Sequence, residues 1–197
     1  MAIEKPDFIP VLIGGDMNCY SVARAIHEEY GVKSYAFGRF PAGDTMHSRI
    51  VECFYDEHMD KPEVVLAKVK EFAAQHPDKT HLVWGCADVY AQVISEIQND
   101  LPENCVTLYI QPDLRDKLES KLSFYEMCDK YGIPYPKTFV VRPSEWDQGV
   151  AEADLTEEKI GFKYPIIVKP VFGGNAEGIV VLEEPADLLR LRWRDPE

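Results

Sequence analysis

A lysine followed closely by three glycines is a residue set that can hold phosphate. The ammonium supplies charge, and a glycine-rich turn lets backbone amides approach the oxygens. The stretch YPIIVKPVFGGNAEGIVVL, residues 164 to 182, carries such a set: the apolar run Ile166, Ile167, Val168 ends on Lys169 and Pro170, crosses Gly173, Gly174 and Gly178, and enters a second apolar run from Ile179 to Leu182. The same pattern also fits a plain hairpin whose glycines supply positive φ, with Lys169 a strand-end charge. Two named phosphate motifs are absent. There is no G-K-[ST] of a P-loop, and GGDMNC after the first apolar run lacks the G-x-G-x-x-G spacing of a dinucleotide fold. Phosphate bound here would therefore be bound from a flexible hairpin.

The elements that must position this hairpin begin with a regular alternation of strand and helix signals. FIPVLI (8 to 13) reads as a buried strand broken by Gly14 and Gly15, with Asp16 or Asn18 able to cap a helix that Gly31 ends. KSYAFG (33 to 38) and IVECFY (50 to 55) read as strands, and PEVVLAKVKEFAAQHP (62 to 77) as an amphipathic helix opened by Pro62. HLVWG (81 to 85), DVYAQVISEIQND (88 to 100) and CVTLYI (105 to 110) continue as strand, helix, strand. Such alternation implies an α/β fold, a Rossmann-like, mostly parallel layer sandwich covered on both faces. Open parallel sheets hold ligands at the carboxyl ends of their strands, which singles out Gly14, Gly15, Asp16 and the GCAD turn with Asp88. The competing roles are packing for the glycines and helix capping for Asp88.

The rhythm changes after residue 112. DLRDKLESKLSFYEMCDKYG (113 to 132) predicts one long amphipathic helix closed by Gly132, and IPYPKTFVV (133 to 141) brings two prolines and a strand. Residues 142 to 163 are polar and acidic and read as a surface linker with a short helix; PADLLRLRW (185 to 193) predicts a helix start.

Composition bounds the function classes. The 197 residues suffice for one large domain or two small ones, and 46% hydrophobic with 28% charged content is that of an ordinary soluble protein. No apolar run approaches a membrane span and MAIEKPDF lacks a signal-peptide core, so a cytoplasmic chain is expected. A net charge of −13 argues against nucleic acid or an anionic membrane as partner and admits a small anion only where cations gather locally. The five cysteines show no C-x-x-C pair, so reduced, mostly buried thiols are expected; a metal site from Cys53 with His47 or His58 is the weaker reading.

Taken together, the hairpin sequence and DLRDKLESKLSFYEMCDKYGIPYPKTFVV resemble the ATP-grasp superfamily, with carboxylate-amine ligases closest in pattern. The family's signature is a strand ending in a phosphate-binding lysine, a mobile glycine-rich loop and a return strand. A further lysine, one helix before a Gly-Ile-Pro, also contacts the nucleotide; Lys121, eleven residues before Gly132, matches it better than Lys117. The resemblance implies a preATP-grasp Rossmann-like domain over residues 1–112 and, over 113–197, the first part of an α+β ATP-grasp domain, truncated after its small lobe.

It also implies ATP bound by Lys121, Lys169, Gly173, Gly174, Asn175 and Gly178, with Mg2+ ligands beyond residue 197. The substrates would be a small-molecule carboxylate and an amine, or a thiol in the amine's place, joined through an acylphosphate. Gly14, Gly15, Asp16 and Asp88 are the candidate substrate contacts. The missing lobe would belong to the same chain or a partner chain, a homodimer is compatible with the family, and the chain alone would be inactive. The alternatives are a non-catalytic nucleotide- or small-molecule-binding module of the same fold, and a plain Rossmann-type protein with a decorative hairpin.

Overall fold

The structure, a computed structural model, describes residues 7–142, 154–173 and 178–190. The chain divides into two compact units, Met1–Arg115 and Asp116–Glu197.

In the first unit, strands β1 (Phe8–Ile13), β2 (Ser34–Gly38), β3 (Val51–Tyr55), β4 (Thr80–Gly85) and β5 (Cys105–Val106) form one parallel sheet in the order β3-β2-β1-β4-β5. The connecting helices are α1 (Met17–Tyr30), the single turn α2 (Gly43–Met46), α3 (Pro62–Gln75) and α4 (Asp88–Ile97), the last extended by a 3-10 turn, Gln98–Asp100. Asp16 starts α1 by accepting from the backbone N–H of Asn18 and Cys19, and Gly31, at φ 68°, ends it. Pro62 opens α3, where its missing N–H costs nothing.

β1 shows why the sequence must be apolar without interruption. Val11 and Ile13 face one side of the sheet, in a cluster with Val65, Val69, Phe72, Ile94 and Ile97 of α3 and α4. Leu12 faces the other, with Cys19 and Ala23 of α1 and with Ala36, Val51 and Cys86. A central parallel strand is buried on both faces, so the period-two alternation of a half-exposed strand disappears. Each such aliphatic side chain removed from water contributes about 1.5–3 kcal/mol.

β5 is shorter than the expected strand over 105 to 110. Past Val106, side chains take over from the ladder: the Thr107 hydroxyl donates to the Val83 carbonyl at 3.0 Å, and the Tyr109 hydroxyl donates to Gly85 O at 2.8 Å and accepts from Gly85 N–H at 3.0 Å.

In the second unit, the expected single helix is two. α5 (Pro112–Glu119) starts in the first unit and ends in the second, and α6 (Lys121–Tyr131) follows at once. The break falls at Ser120, whose backbone is extended and whose hydroxyl accepts from Ser123 N–H, a capping interaction that begins a new helix. The strand expected in IPYPKTFVV does not form among the described residues: Pro134 and Pro136 offer no N–H, and the Thr138 hydroxyl turns back onto Pro136 O at 2.9 Å. A short helix α7 (Glu157–Ile160) precedes the hairpin of β6 (Ile166–Val168) and β7 (Val180–Leu182), which pair antiparallel. Ile166, Val168, Val180 and Leu182 pack with Leu155 and Ile160, while Ile167 and Val181, opposite each other, stay exposed. Residues from Pro185 form a 3-10 helix to Arg190 instead of an α-helix, its start held by the Asp187 carboxylate accepting from Glu183 and Glu184 N–H.

Two positions make the fold testable. A Cβ on Gly85 would lie 2.5 Å from the Tyr90 carbonyl carbon and 2.6 Å from Ala91 N, both backbone atoms of α4. Gly85→Ala must push the helix off the sheet, and a loss of about 1–3 kcal/mol, or more, is expected in urea unfolding. His81 is fully buried; its Nδ1–H faces Asn104 O at 3.3 Å, and Nε2 has no partner among the described residues. Burial pushes its pKa below the usual 6.5, with the nearby His76 adding to the effect. The unfolded chain therefore binds this proton first as pH falls, so the contribution is full above about pH 6.5 and is lost below it. Urea midpoints measured from pH 7.5 to 5.5 are expected to fall in the wild type with a flatter course in His81→Leu. The slope from this one group is at most about 1.4 kcal/mol per pH unit.

Candidate functional site

The two sets of residues singled out in the sequence occupy separate places, one in each unit. In the second unit the break at Ser120 makes Lys121 the first residue of α6. Its backbone N–H donates to Val171 O at 3.2 Å, and its ammonium donates to Val171 O at 3.5 Å and Gly173 O at 3.3 Å. The fold thus brings Lys121 onto the strand-to-turn junction of the hairpin, fifty residues away in sequence. Lys117 is exposed in the last turn of α5 and makes no hydrogen bond or ion pair among the described residues.

Lys169 follows β6 directly and is exposed, its ammonium likewise unengaged among the described residues. Gly173 and Gly178 both take positive φ, 118° and 71°. Gly174 and Asn175 lie outside the described residues. The Lys121 ammonium on the turn carbonyls and the Lys169 ammonium, two residues before Val171, are two cationic donors of a kind that suits phosphate oxygens. No group of three or more His, Cys, Asp or Glu able to hold a metal occurs among the described residues, so these residues do not fit a magnesium site by themselves.

In the first unit the chain leaves β1 toward β2 on one side and returns as β4 on the other. The carboxyl ends of β1 and β4 thereby form the topological switch point where ligands of open parallel sheets bind. Gly14 and Cys86 meet there: Cys86 N–H donates to Ile13 O at 2.8 Å, Gly14 N–H donates to Phe37 O at 2.9 Å, and a Cβ on Gly14 would come within 3.1 Å of Cys86 Cβ. Gly14 has φ +137°, so a side chain here is disfavoured by both backbone and space. Gly15 O accepts the Thr45 hydroxyl at 2.5 Å, which ties α2 to the turn.

The two aspartates differ. Asp16 spends its carboxylate on capping α1, with Oδ1 accepting from Asn18 N–H at 3.1 Å and Cys19 N–H at 3.2 Å. Asp88 is not a cap: Ala87 occupies that position, and Asp88 stands exposed as the first residue of α4.

Three residues at this crevice were not found from the sequence. Tyr90 lays its ring over Gly14, 3.5 Å from where a Cβ would be. Its hydroxyl, with its pKa raised by burial, is reached by the charges of Arg39, Asp16 and Asp60. Arg39 follows β2, its Nε–H donating to Glu57 O at 3.1 Å and its Nη1 3.6 Å from the Asp60 carboxylate. Thr45 is fully buried. The available signal was the FGRF stretch at the end of a predicted strand, where a polar residue at a carboxyl end is a ligand candidate. The Cys19 thiol below the crevice is not a nucleophile, since its neighbour Cys86, together with burial, holds its proton on and only a thiolate attacks. A cavity of about 260 Å³ lies elsewhere, between β3 and α3, floored by Phe37, Phe54, Met59 and Phe72. None of the residues singled out in the sequence line it.

No protein-family model matches the chain. It is 35% identical over 172 residues to a D-aspartate ligase of Enterococcus faecium (strain Aus0004), an alignment covering 86% of this chain and 40% of that protein. The chain thus spans well under half the length of that curated relative. An N5-carboxyaminoimidazole ribonucleotide synthetase solved in complex with ADP superposes with a TM-score of 0.59 at 17% identity, covering 98% of this chain and 45% of the other. An L-amino acid ligase from Bacillus licheniformis gives 0.57 at 17% identity, covering 95% and 42%. These two share the fold along nearly all of this chain. The chain is thus related in sequence to a D-aspartate ligase and has the α/β fold of these ligases and synthetases over the part of each that it covers.

Proposed function

We propose that this chain is the front part of an ATP-dependent ligase that activates a carboxylate as an acylphosphate and joins it to an amine or a thiol. Residues 1–112 would be the preATP-grasp domain and 113–197 the beginning of the nucleotide-binding domain; the compact units divide after Arg115, within the same helix, α5. The observation that carries the reading is the seating of the Lys121 ammonium on the turn carbonyls of Val171 and Gly173. A cation and a glycine turn drawn from distant parts of the chain are gathered where phosphate would need both. The relation to a D-aspartate ligase supports an amino acid as the carboxylate.

ATP, when bound, supplies the phosphoryl group. Lys121 and Lys169 would neutralise its phosphates, and the turn with Gly173 and Gly178, together with Gly174 and Asn175 outside the described residues, would supply backbone N–H groups and exclude water. The Mg2+ ligands would lie beyond residue 197, in a lobe of the same chain or a partner chain. Gly14 and Gly15 would let substrate approach the backbone at the switch point, Asp88 would present a carboxylate there, and Asp16 would act by fixing α1. We further propose a cytoplasmic protein, in keeping with the lack of any helix among the described residues long and apolar enough to cross a membrane. A second copy of the chain remains a candidate partner.

The test is carboxylate-dependent ADP release by the longer protein that contains this chain. Lys121→Ala and Lys169→Ala are each expected to weaken ATP binding about tenfold to a hundredfold, the value of a charge-assisted contact. Lys117→Ala should leave it unchanged. Equal effects from all three lysines, or ADP release indifferent to every carboxylate tried, would overturn the assignment.

A further inference from the structure

Arg39 brings a positive charge to the carboxyl edge of the sheet in a chain whose net charge is −13. Gly38 packs directly on the glycine turn, since a Cβ on Gly38 would lie 3.4 Å from Gly14 O and 3.5 Å from Gly15 Cα. The next residue therefore leaves β2 beside Gly14 and Gly15. Its guanidinium is held by Glu57 O and Asp60, both in the connection between β3 and α3. A guanidinium has five N–H donors, so this arrangement fixes the fork while leaving donors without a partner among the described residues. The pair with Asp60 has side chains 47% and 34% exposed, and such a half-exposed pair adds little stability. Opposite stands Tyr90 over Gly14, its hydroxyl without a hydrogen bond among the described residues.

We infer that Arg39 is the specificity-determining residue of the switch-point crevice and binds a carboxylate of the small-molecule substrate, with the Tyr90 hydroxyl as a second donor. A planar fork matches a carboxylate through two parallel hydrogen bonds, which a lysine at this position could not reproduce. In a strongly acidic chain the selection is sharp, because an anion bound anywhere on this edge without Arg39 meets Asp16, Asp60 and Asp88. The inference rests on the ligase reading above for the word substrate; the anion site itself stands on the geometry alone.

The experiment titrates the chain with succinate, and with succinamide as the uncharged control, while following the Arg39 Nε–H and the Gly14 amide by NMR. Saturable shifts at both positions with succinate and none with succinamide are expected. Arg39→Gln should raise the succinate Kd roughly tenfold to a hundredfold, Arg39→Lys by less, and Tyr90→Phe by a smaller factor again, with unchanged thermal unfolding. No shift at Arg39 and Gly14, or an Arg39→Gln variant that binds as the wild type does, overturns the inference. In the longer protein, Arg39→Gln should raise the KM for the carboxylate and leave the KM for ATP as it was; a rise in both, or in neither, also overturns it. Arg39-dependent succinate binding in a protein that releases no ADP would sink the ligase reading and leave the anion site intact.

Discussion

β1 pairs with β4 along all six of its residues, from Phe8 against Thr80 to Ile13 against Gly85, and the rest of the first unit depends on this pairing. It places a parallel strand in the middle of the sheet, which obliges β1 to be apolar toward α1 on one face and toward α3 and α4 on the other. It also sets the carboxyl ends of β1 and β4 side by side with their connections departing in opposite directions, so a crevice exists where Gly14 meets Cys86. Gly85 enforces the arrangement: its missing side chain lets the backbone of α4 descend onto β4, and that descent carries Tyr90 over Gly14. Packing and site geometry are here the same constraint.

The second unit relies on a smaller device. Its hairpin has three residues in each strand, and a sheet of that size is marginal without further packing. Stability comes from one apolar face, where Leu182 is fully buried among Leu155, Ile160, Ile166 and Val168. The junction with the turn is fixed from outside by Lys121, whose backbone and ammonium both donate to Val171 O. That depends in turn on Ser120, because only a helix that restarts there presents Lys121 in its first turn.

Charge decides which of these places can meet an anion. Several cations of the first unit are spent on exposed pairs, as with Arg24 and Glu28, Lys33 and Glu52, and Lys68 and Asp56. Such pairs are worth little to stability and nothing to a ligand. Arg39 is anchored by a backbone carbonyl as well as a carboxylate, as Arg115 is by Gln92 O and Glu96, but it alone of the two stands next to a turn without side chains.

Much of the fold could be read from the sequence because its signals are local. FIPVLI and HLVWG are apolar runs of strand length, Asp16 and Gly31 bracket a helix by their own backbone preferences, and Pro62 marks the start of another. The glycine turn and Lys169 were legible for the same reason, since a motif needs only neighbours in sequence. What tertiary structure alone decided is long-range. Ser120 splits an amphipathic stretch whose periodicity reads as one helix; β5 stops at Val106 because Thr107 and Tyr109 bond to β4; and the strand expected after Pro136 finds no ladder among the described residues. Arg39 and Tyr90 became candidates only when parallel pairing set the end of β2 and the start of α4 around Gly14, positions separated by dozens of residues. Local propensity fixes where an element begins, but which side chains share a crevice is set by strand order, and strand order is a property of the whole sheet.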